Sequence, residues 1–275
     1  MSGIEIRPVT AVIGADVRGV DLSKPLDGVT RAAIEQGLLD YQVLFFRGQN
    51  ITPEEQVAFA LQFGTIGEQP FAPKYGDNPD YIVLDQITPV GEGADNWHSD
   101  NTFMAEPPSR AILKAVQLPA IGGDTCFASM YAAYEALSAP IRRLIDGMTA
   151  VHDLTKPLQK ALDAGHADAD LAELQRRWPP VEHPVACTHP ITGRTALFVN
   201  GNSTTHLVGL NDRENALLLP FLIEHVRSPL FQCRFSWDEN SVAFWDNRAT
   251  QHYAVPDYTE RRIMHRVTLA GDRPR

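Results

Sequence analysis

The chain has 275 residues, of which 44% are hydrophobic and 21% are charged, a composition typical of a globular protein with a sizeable core. Its formal net charge of −10 argues against a nucleic-acid partner, because a polyanion would be repelled unless a local basic patch outweighed the whole surface. The N-terminus lacks the pattern of a secretory signal peptide and no apolar run reaches the roughly 18 residues that span a bilayer, so we predict a cytoplasmic protein without a membrane partner.

The N-terminal fifth of the chain alternates short strands with helices. The residues IEIRPV predict a strand, residues 29–40 a helix, and QVLFFRG an apolar strand. Thr52 then predicts a helix N-cap with Pro53 at the first helical position, because Pro has no N–H to leave unbonded there. We expect this helix to end near Phe63.

Strand-like segments dominate the rest of the chain. They are bounded by Gly, Pro, Asn or Asp and comprise YIVLD, RAILKAV, TAVHDL, HPVACTH, TALFVN, FQCRFSW, SVAFWD and RIMHRVTLAG. Two helices interrupt them, one near residues 130–147 and one near 211–226 with Asn211 as its cap. The acidic segment DAGHADADLAELQRRW predicts a surface helix or a mobile lid around residues 155–180.

The order of these elements predicts the architecture. No internal repeat or linker divides the chain, so we expect a single domain over residues 1–275. Many short strands with only peripheral helices indicate a mainly β protein of the α+β type with a jelly-roll core, also called a cupin-like or double-stranded β-helix core. Such a core offers a mouth in which a metal can lie.

The segment ADNWHSDNTF holds a candidate metal-binding pair. On an extended strand, His98 and Asp100 would point to the same face about 6.5–7 Å apart, close enough to bind one ion. Two histidines with one carboxylate form the facial triad of non-haem iron oxygenases. The pair alone is weak evidence, because nine histidines and 34 acidic residues in 275 positions give about one such pair by chance. A second copy, His166 and Asp168, falls in the predicted lid helix, where residues two apart diverge by about 200° and cannot share a metal.

A third ligand, His252, stands in FWDNRATQHYAVPDY, after a predicted strand and turn, so we expect it in a loop. In the following strand, RRIMHRVTL, alternation places Arg262 and Arg266 on one face. Two arginines that point one way favour an anion, and the guanidinium fork of Arg262 suits the far carboxylate of a dicarboxylate. The hydroxyl of Thr125 in the turn GGDT could share that carboxylate.

Together these residues resemble a known family. The segments NWHSDNTF, GGDT, THPITGRTALFVN, WDNRATQHYAVPDY and RRIMHRVTLAGDRP, with GADVRGVDLSKPL and VLFFRGQNIT near the N-terminus, are similar to the TauD/TfdA group of Fe(II)/2-oxoglutarate enzymes, which includes taurine dioxygenase and 2,4-dichlorophenoxyacetate dioxygenase. The resemblance covers nearly the whole chain. It implies His98, Asp100 and His252 as the iron ligands and Thr125 and Arg262 as receptors for the C5 carboxylate of 2-oxoglutarate.

The resemblance also implies a small anionic organic substrate. The arginine that matches Arg266 holds the anionic group of the substrate in the taurine enzyme, aided by the backbone N–H of the residue that matches Asn101. The pocket of this chain differs where the taurine enzyme has an anion-contacting His and nearby Tyr, Asn and Phe, and the residues at those positions are Gln69, Ala72, Ala94 and Ser203. These differences favour a bulkier sulfonate, alkyl sulfate or carboxylate over taurine. Relatives are usually dimers or tetramers, so a homo-oligomer is expected.

The implied reaction consumes O₂, converts 2-oxoglutarate to succinate and CO₂, and hydroxylates the substrate. A non-catalytic jelly-roll protein with a structural metal site is the main alternative, and the presence of Arg262 and Thr125 argues against it. A zinc hydrolase is a second alternative, but HExxH is missing and a dicarboxylate receptor would have no purpose. A halogenating relative would lack the carboxylate ligand, whereas Asp100 is present.

Overall fold

The computed structural model describes residues 3–68, 80–86, 95–156, 158–159 and 171–275. Its helices are α1 (Gly28–Tyr41), α2 (Pro53–Leu61), α3 (Met130–Ala136), α4 (Ala139–Ile145), α5 (Leu171–Arg177) and α6 (Asp212–His225). Its strands are β1 (Glu5–Pro8), β2 (Ala15–Arg18), β3 (Val43–Phe46), β4 (Ile82–Gln86), β5 (Arg110–Gln117), β6 (Thr125–Ser129), β7 (Thr149–His152), β8 (Val181–Pro184), β9 (Ala186–Thr188), β10 (Thr195–Leu197), β11 (Thr204–Leu207), β12 (Gln232–Phe235), β13 (Val242–Asp246), β14 (Thr250–Ala254) and β15 (Arg262–Leu269). The residues of interest that lie outside the described ranges are Gln69, Ala72, Ala94, His166 and Asp168.

Two sheets face each other and form the core of the jelly roll. The large sheet has the order β1–β2–β3–β13–β5–β15–β4, and its strand pairs are antiparallel except for the parallel pair β2–β3. The small sheet has the order β12–β6–β14 and is antiparallel. Two further small sheets have the orders β11–β7–β8 and β10–β9. Strands β14 and β15 follow each other along the chain but belong to opposite sheets, so their inward side chains meet between the layers.

Aromatic side chains fill the space between the two sheets. Phe45 of the large sheet stacks on Phe235 of the small sheet with ring centroids 4.0 Å apart, and the ring of Phe127 lies 5.7 Å from that of Phe45. All three side chains are buried, and burial of one such side chain contributes about 1.5–3 kcal/mol. The predicted fold class, mainly β with peripheral helices, is therefore confirmed.

Helices α1 and α2 cover the outer face of the large sheet. In that layer Phe59 of α2 packs edge-on against Phe46 and Phe244. The predicted cap of α2 is confirmed, because Thr52 and Glu55 form a reciprocal capping box. Asn211 caps α6 in the same way, as predicted. None of the described helices combines the length and apolar character needed to cross a bilayer.

The helix predicted near residues 130–147 is two helices, α3 and α4. A continuous helix would need an N–H from Pro140 to the carbonyl of Ala136, and proline has none. The chain therefore breaks after α3, and Ser138 stands at the N-cap position of α4. In the predicted lid, residues Leu171–Arg177 form α5, and Leu174 of this helix packs against a cluster around Phe103 that also contains Leu158.

The turn before β6 depends on two glycines with positive φ, of which Gly122 has φ +83°. A Cβ added at Gly122 would lie 2.6 Å from the backbone oxygen of Asp257. We expect Gly122→Ala to lower the free energy of unfolding by more than Gly209→Ala, measured by urea denaturation. Gly209 has φ +85° with no atom within 4 Å of its added Cβ, so it reports only the backbone strain of about 1–2 kcal/mol. An equal decrease in the free energy of unfolding for the two variants would show that the close contact with Asp257 does not affect stability.

Candidate metal and co-substrate site

His98, Ser99 and Asp100 form the HxD segment, which is held against strand β14 by backbone pairing. The N–H of His98 donates to the carbonyl of His252 at 3.0 Å, and the N–H of His252 donates to the carbonyl of His98 at 2.8 Å. The hydroxyl of Ser99 adds a bond of 2.8 Å to the carbonyl of Thr250. The chain then turns at Asp100, and the next residue has φ +50°. The prediction of an extended strand through His98 and Asp100 is therefore wrong, because the structure has an isolated β-bridge between His98 and His252 followed by a turn.

The loop predicted at His252 is wrong. His252 lies in β14, directly opposite Phe127 of β6, and its ring packs 4.8 Å from the ring of Trp245 and 5.9 Å from that of Phe127. Strand β14 has the sequence TQHYA, in which the inward positions Thr250 and His252 are polar. This pattern lacks the apolar alternation that identifies a strand, because the inward face forms a polar site and not core.

The three predicted ligands converge. One ligand atom from each of His98, Asp100 and His252 can be chosen so that all lie within 4.8 Å of one another, and His98 Nε2 is 3.8 Å from Asp100 Oδ1. His98 Nδ1 bonds to the backbone oxygen of Asn96 at 2.7 Å, which places its proton on Nδ1 and leaves the Nε2 lone pair for a metal. Among the described residues, the buried Asp100 Oδ2 has no hydrogen-bond partner. A bound cation would compensate for that unsatisfied oxygen, so the residues fit a divalent metal.

The protonation states of His98, Asp100 and His252 favour the binding of a cation. Burial lowers the pKa of His98, and burial together with the neighbouring His98 lowers the pKa of His252 to about 3. Burial would by itself raise the pKa of Asp100, but the positive charge of the neighbouring Arg266 opposes it, and the pKa is lowered overall. Neutral imidazoles and an ionised carboxylate are the forms that bind metal ions, so little proton release needs to accompany binding near neutral pH.

The predicted co-substrate receptors, Arg262 and Thr125, are both 2% exposed. Arg262 Nε donates to the carbonyl of Gly123 at 3.2 Å. Thr125 is the first residue of β6 and its Oγ1 accepts from Trp237 Nε1 at 3.0 Å, so the hydroxyl proton is available to an acceptor. Trp237 was not predicted, because nothing in the sequence indicates that its indole reaches Thr125.

Arg266 lies on the same face of β15 as Arg262, as the alternation predicted, with the fully buried Met264 between them. Its Nη1 is 3.0 Å from Asp100 Oδ1, an ion pair that the sequence did not predict. Its Nε is buried without a hydrogen-bond partner among the described residues, as is the side-chain nitrogen of Asn101. The neighbourhood of Asp100 therefore contains buried donors suited to an anion.

A polar network supports the turn behind Asn101. The hydroxyl of Thr102 contacts His152 Nδ1 at 3.0 Å and accepts from the Asn200 amide at 2.9 Å. The N–H of Ser203 donates to Asn200 Oδ1 at 2.9 Å, which joins this predicted pocket residue to the network. The sequence did not predict the roles of His152 and Asn200, because the network joins three distant segments of the chain.

His152 makes the stability of the metal-free protein depend on pH. It is 0% exposed, and burial followed by the charge of His183 lowers its pKa to about 3. Between pH 6.5 and that value the unfolded chain binds one more proton than the native state at this residue, so the free energy of unfolding falls as the pH falls. We expect His152→Asn to reduce this pH slope by up to about 1.4 kcal/mol per pH unit, measured by urea denaturation with a chelator present. The exposed His206→Asn is the control, and equal slopes for wild type and His152→Asn would contradict the prediction.

Two histidines and one carboxylate that face inward in a jelly roll are the donor set of non-haem metal oxygenases, so the fold and the site place this protein in that class. The family model "Taurine catabolism dioxygenase TauD, TfdA family" matches residues 5–268. An alpha-ketoglutarate-dependent sulfate ester dioxygenase of Pseudomonas putida is 38% identical, with 98% of this chain and 91% of that protein covered. An alkylsulfatase of Acinetobacter baylyi is 36% identical, with 98% and 86% covered.

Solved structures agree with these relatives. A taurine dioxygenase from Burkholderia xenovorans superposes with a TM-score of 0.84 at 36% identity, with 98% of this chain and 92% of that chain covered. AAD-2 in complex with Mn(II) and N-oxalylglycine gives a TM-score of 0.84 at 30% identity, with 99% of both chains covered. The chain belongs to the TauD/TfdA family of dioxygenases, and the resemblance inferred from its motifs is confirmed.

Proposed function

We propose that this dioxygenase uses Fe(II) and 2-oxoglutarate, also called alpha-ketoglutarate, to hydroxylate a small organic sulfate ester. The convergence of His98, Asp100 and His252 is the observation that carries the proposal, because this donor set leaves coordination positions open for reactants. Bound Fe(II) supplies the redox chemistry that couples decarboxylation of 2-oxoglutarate to succinate and CO₂ with transfer of one oxygen atom of O₂ to the substrate. The relatives named for alpha-ketoglutarate dependence support the choice of co-substrate.

In this proposal, side chains between the sheets bind and orient the co-substrate. Arg262 receives the C5 carboxylate through its guanidinium, and Thr125 donates its hydroxyl proton to the same group. Both side chains are buried, so the charge-assisted bonds form away from competing water. AAD-2, whose structure superposes on this chain, was solved with N-oxalylglycine, which has an NH in place of one methylene of 2-oxoglutarate, and this supports 2-oxoglutarate as the co-substrate.

Arg266 is the proposed receptor for the anionic group of the substrate, with the backbone N–H of Asn101. The guanidinium already neutralises Asp100 across 3.0 Å, so it lies beside the proposed metal. An anion bound to Arg266 would therefore hold its carbon skeleton next to the reacting centre. Gln69 belongs to the proposed substrate contacts as well, although it lies outside the described residues.

A sulfate ester is the substrate class favoured by the relatives. The sulfate ester dioxygenase and the alkylsulfatase are more similar to this chain than the 2,4-dichlorophenoxyacetate dioxygenase of Cupriavidus pinatubonensis, which is 32% identical with 96% of this chain and 97% of that protein covered. Hydroxylation of the carbon that bears the sulfate gives a hemiacetal ester, which breaks down to an aldehyde and inorganic sulfate. The overall reaction converts substrate, O₂ and 2-oxoglutarate to aldehyde, sulfate, succinate and CO₂.

A substrate panel tests this proposal. The enzyme is supplied with Fe(II), O₂ and 2-oxoglutarate, and succinate is measured with alkyl sulfates, alkyl sulfonates including taurine, and aryloxyalkanoates. We expect an alkyl sulfate to give the highest kcat/KM, with aldehyde and sulfate formed in equal amounts with succinate. Turnover with taurine alone would refute the substrate class, and absence of Fe(II)-dependent succinate with every compound would refute the activity.

A further inference from the structure

The side chain of Asn247, in the turn between β13 and β14, grips the backbone of Asp100 on both sides. Asn247 Oδ1 accepts from the N–H of Asp100 at 2.8 Å, and Asn247 Nδ2 donates to the carbonyl of Asp100 at 3.0 Å. The same Nδ2 donates to the carbonyl of Pro108 at 2.9 Å, and the backbone N–H of Asn247 donates to Ser109. Asn247 is 1% exposed, so the loss of these bonds would leave buried polar groups without water to replace them, at a cost in free energy.

These bonds occur where the backbone pairing with β14 ends. His98 exchanges two backbone bonds with His252, whereas Asp100 has turned away from that strand. A primary amide places an acceptor oxygen and a donor nitrogen at a spacing close to that of a peptide group. The Asn247 amide can therefore form the two backbone hydrogen bonds that a neighbouring strand would otherwise form with Asp100, the residue that supplies the carboxylate.

We infer that Asn247 is a positioning residue for the carboxylate of Asp100, an inference that rests on the proposed metal site. By fixing both peptide groups around Asp100, the amide limits the directions in which its side chain can leave the backbone. It also joins the HxD turn to the turn between β13 and β14, so the carboxylate keeps its place relative to His252. Outer contacts of this kind typically change metal affinity by about 10- to 100-fold when lost.

The chain contains a matched control for this arrangement. Asn215 of α6 grips Leu207 in the same way, with Oδ1 accepting from the Leu207 N–H at 2.7 Å and Nδ2 donating to its carbonyl at 3.2 Å. A second donation runs from Nδ2 to Leu210 at 3.1 Å. Helix α6 packs on the outer face of the small sheet, away from the inward-facing ligands. The same substitution at Asn215 therefore removes an equivalent backbone clamp without touching the metal site.

The experiment compares Asn247→Asp with Asn215→Asp by titration of the metal-free protein with Co(II), whose visible absorption reports its coordination geometry. Each substitution keeps the side-chain volume and the acceptor but removes every donation from the amide nitrogen, two at Asn247 and three at Asn215. We expect both variants to unfold at lower urea concentration. Only Asn247→Asp should raise the Co(II) dissociation constant, by about 10- to 100-fold, and alter the absorption of the bound ion.

Wild-type affinity and absorption in Asn247→Asp would overturn the inference, as would an equal loss of affinity in Asn215→Asp. If Asn247→Asp does not fold, Asn247→Gln, which carries the amide one methylene further out, is titrated with the same expected direction and the same criterion. Failure of the proposed metal site gives a different result, because Co(II) would then bind wild type and His98→Ala alike.

Discussion

His98→Ala should abolish the O₂-dependent conversion of 2-oxoglutarate to succinate, leaving less than about 1% of the wild-type rate. Loss of contacts outside the ligand set already weakens metal sites by about 10- to 100-fold, so loss of a ligand is expected to exceed that range. Removal of the imidazole also leaves Asp100 and His252 with an incomplete donor set in a buried site. Succinate formation at saturating Fe(II) and 2-oxoglutarate is the measurement.

His206→Ala is the control for this variant, because His206 is exposed and stands outside the triad. It should retain wild-type turnover. Succinate formation by His98→Ala at a rate within tenfold of wild type would mean that another group completes the metal site. Metal content after dialysis separates loss of iron from loss of turnover by iron that remains bound.

Arg262→Met should produce the second largest effect, a rise of roughly 30-fold or more in the KM for 2-oxoglutarate. Removal of one partner from a buried charge-assisted pair costs about 2–5 kcal/mol, and each 1.4 kcal/mol is a factor of ten. Arg262 is 2% exposed and its Nε is fixed by the carbonyl of Gly123, so its guanidinium is already oriented before binding. Co(II) affinity should remain close to that of wild type, since no metal ligand changes.

The neighbouring Arg261→Met is the matched control. Arg261 precedes Arg262 in the chain but lies on the surface, where it pairs with Asp85. Its loss should leave the KM for 2-oxoglutarate unchanged. A similar rise in KM for both variants would indicate a general effect of charge on the approach of the co-substrate, and would remove the special role of Arg262.

Sequence patterns within single helices and strands were sufficient to predict much of the fold. The start of helix α2 was predicted from Thr52 and Pro53, since an N-cap and a proline at the first helical position are signals between neighbours, and the structure adds Glu55 as the partner in a capping box. The inward face of β15 follows from alternation, and the structure places Met264 and both arginines on it as predicted. These features depend on contacts within one element, which a sequence displays directly.

Features that depend on distant segments were missed. The polar strand around His252 could not be recognised, because its inward residues face the site and lack the pattern of a buried strand. The pairing of Arg266 with Asp100 requires the position of β15 relative to the turn at Asp100, and the clamp from Asn247 requires the position of the turn between β13 and β14. The spacing of residues within one segment cannot predict how distant segments are placed, so these contacts are known only from the structure.

The attachment of the HxD turn to β14 has a consequence for how the protein folds. Ser99 and Thr250 are 151 residues apart in sequence, so the proposed metal centre cannot form until a very long loop has closed. A cation that binds only the closed state adds its binding free energy to the stability of the native protein. Fe(II) bound as proposed would therefore link His98 and Asp100 to His252 late in folding, and its supply would influence how long the enzyme survives as well as how fast it works.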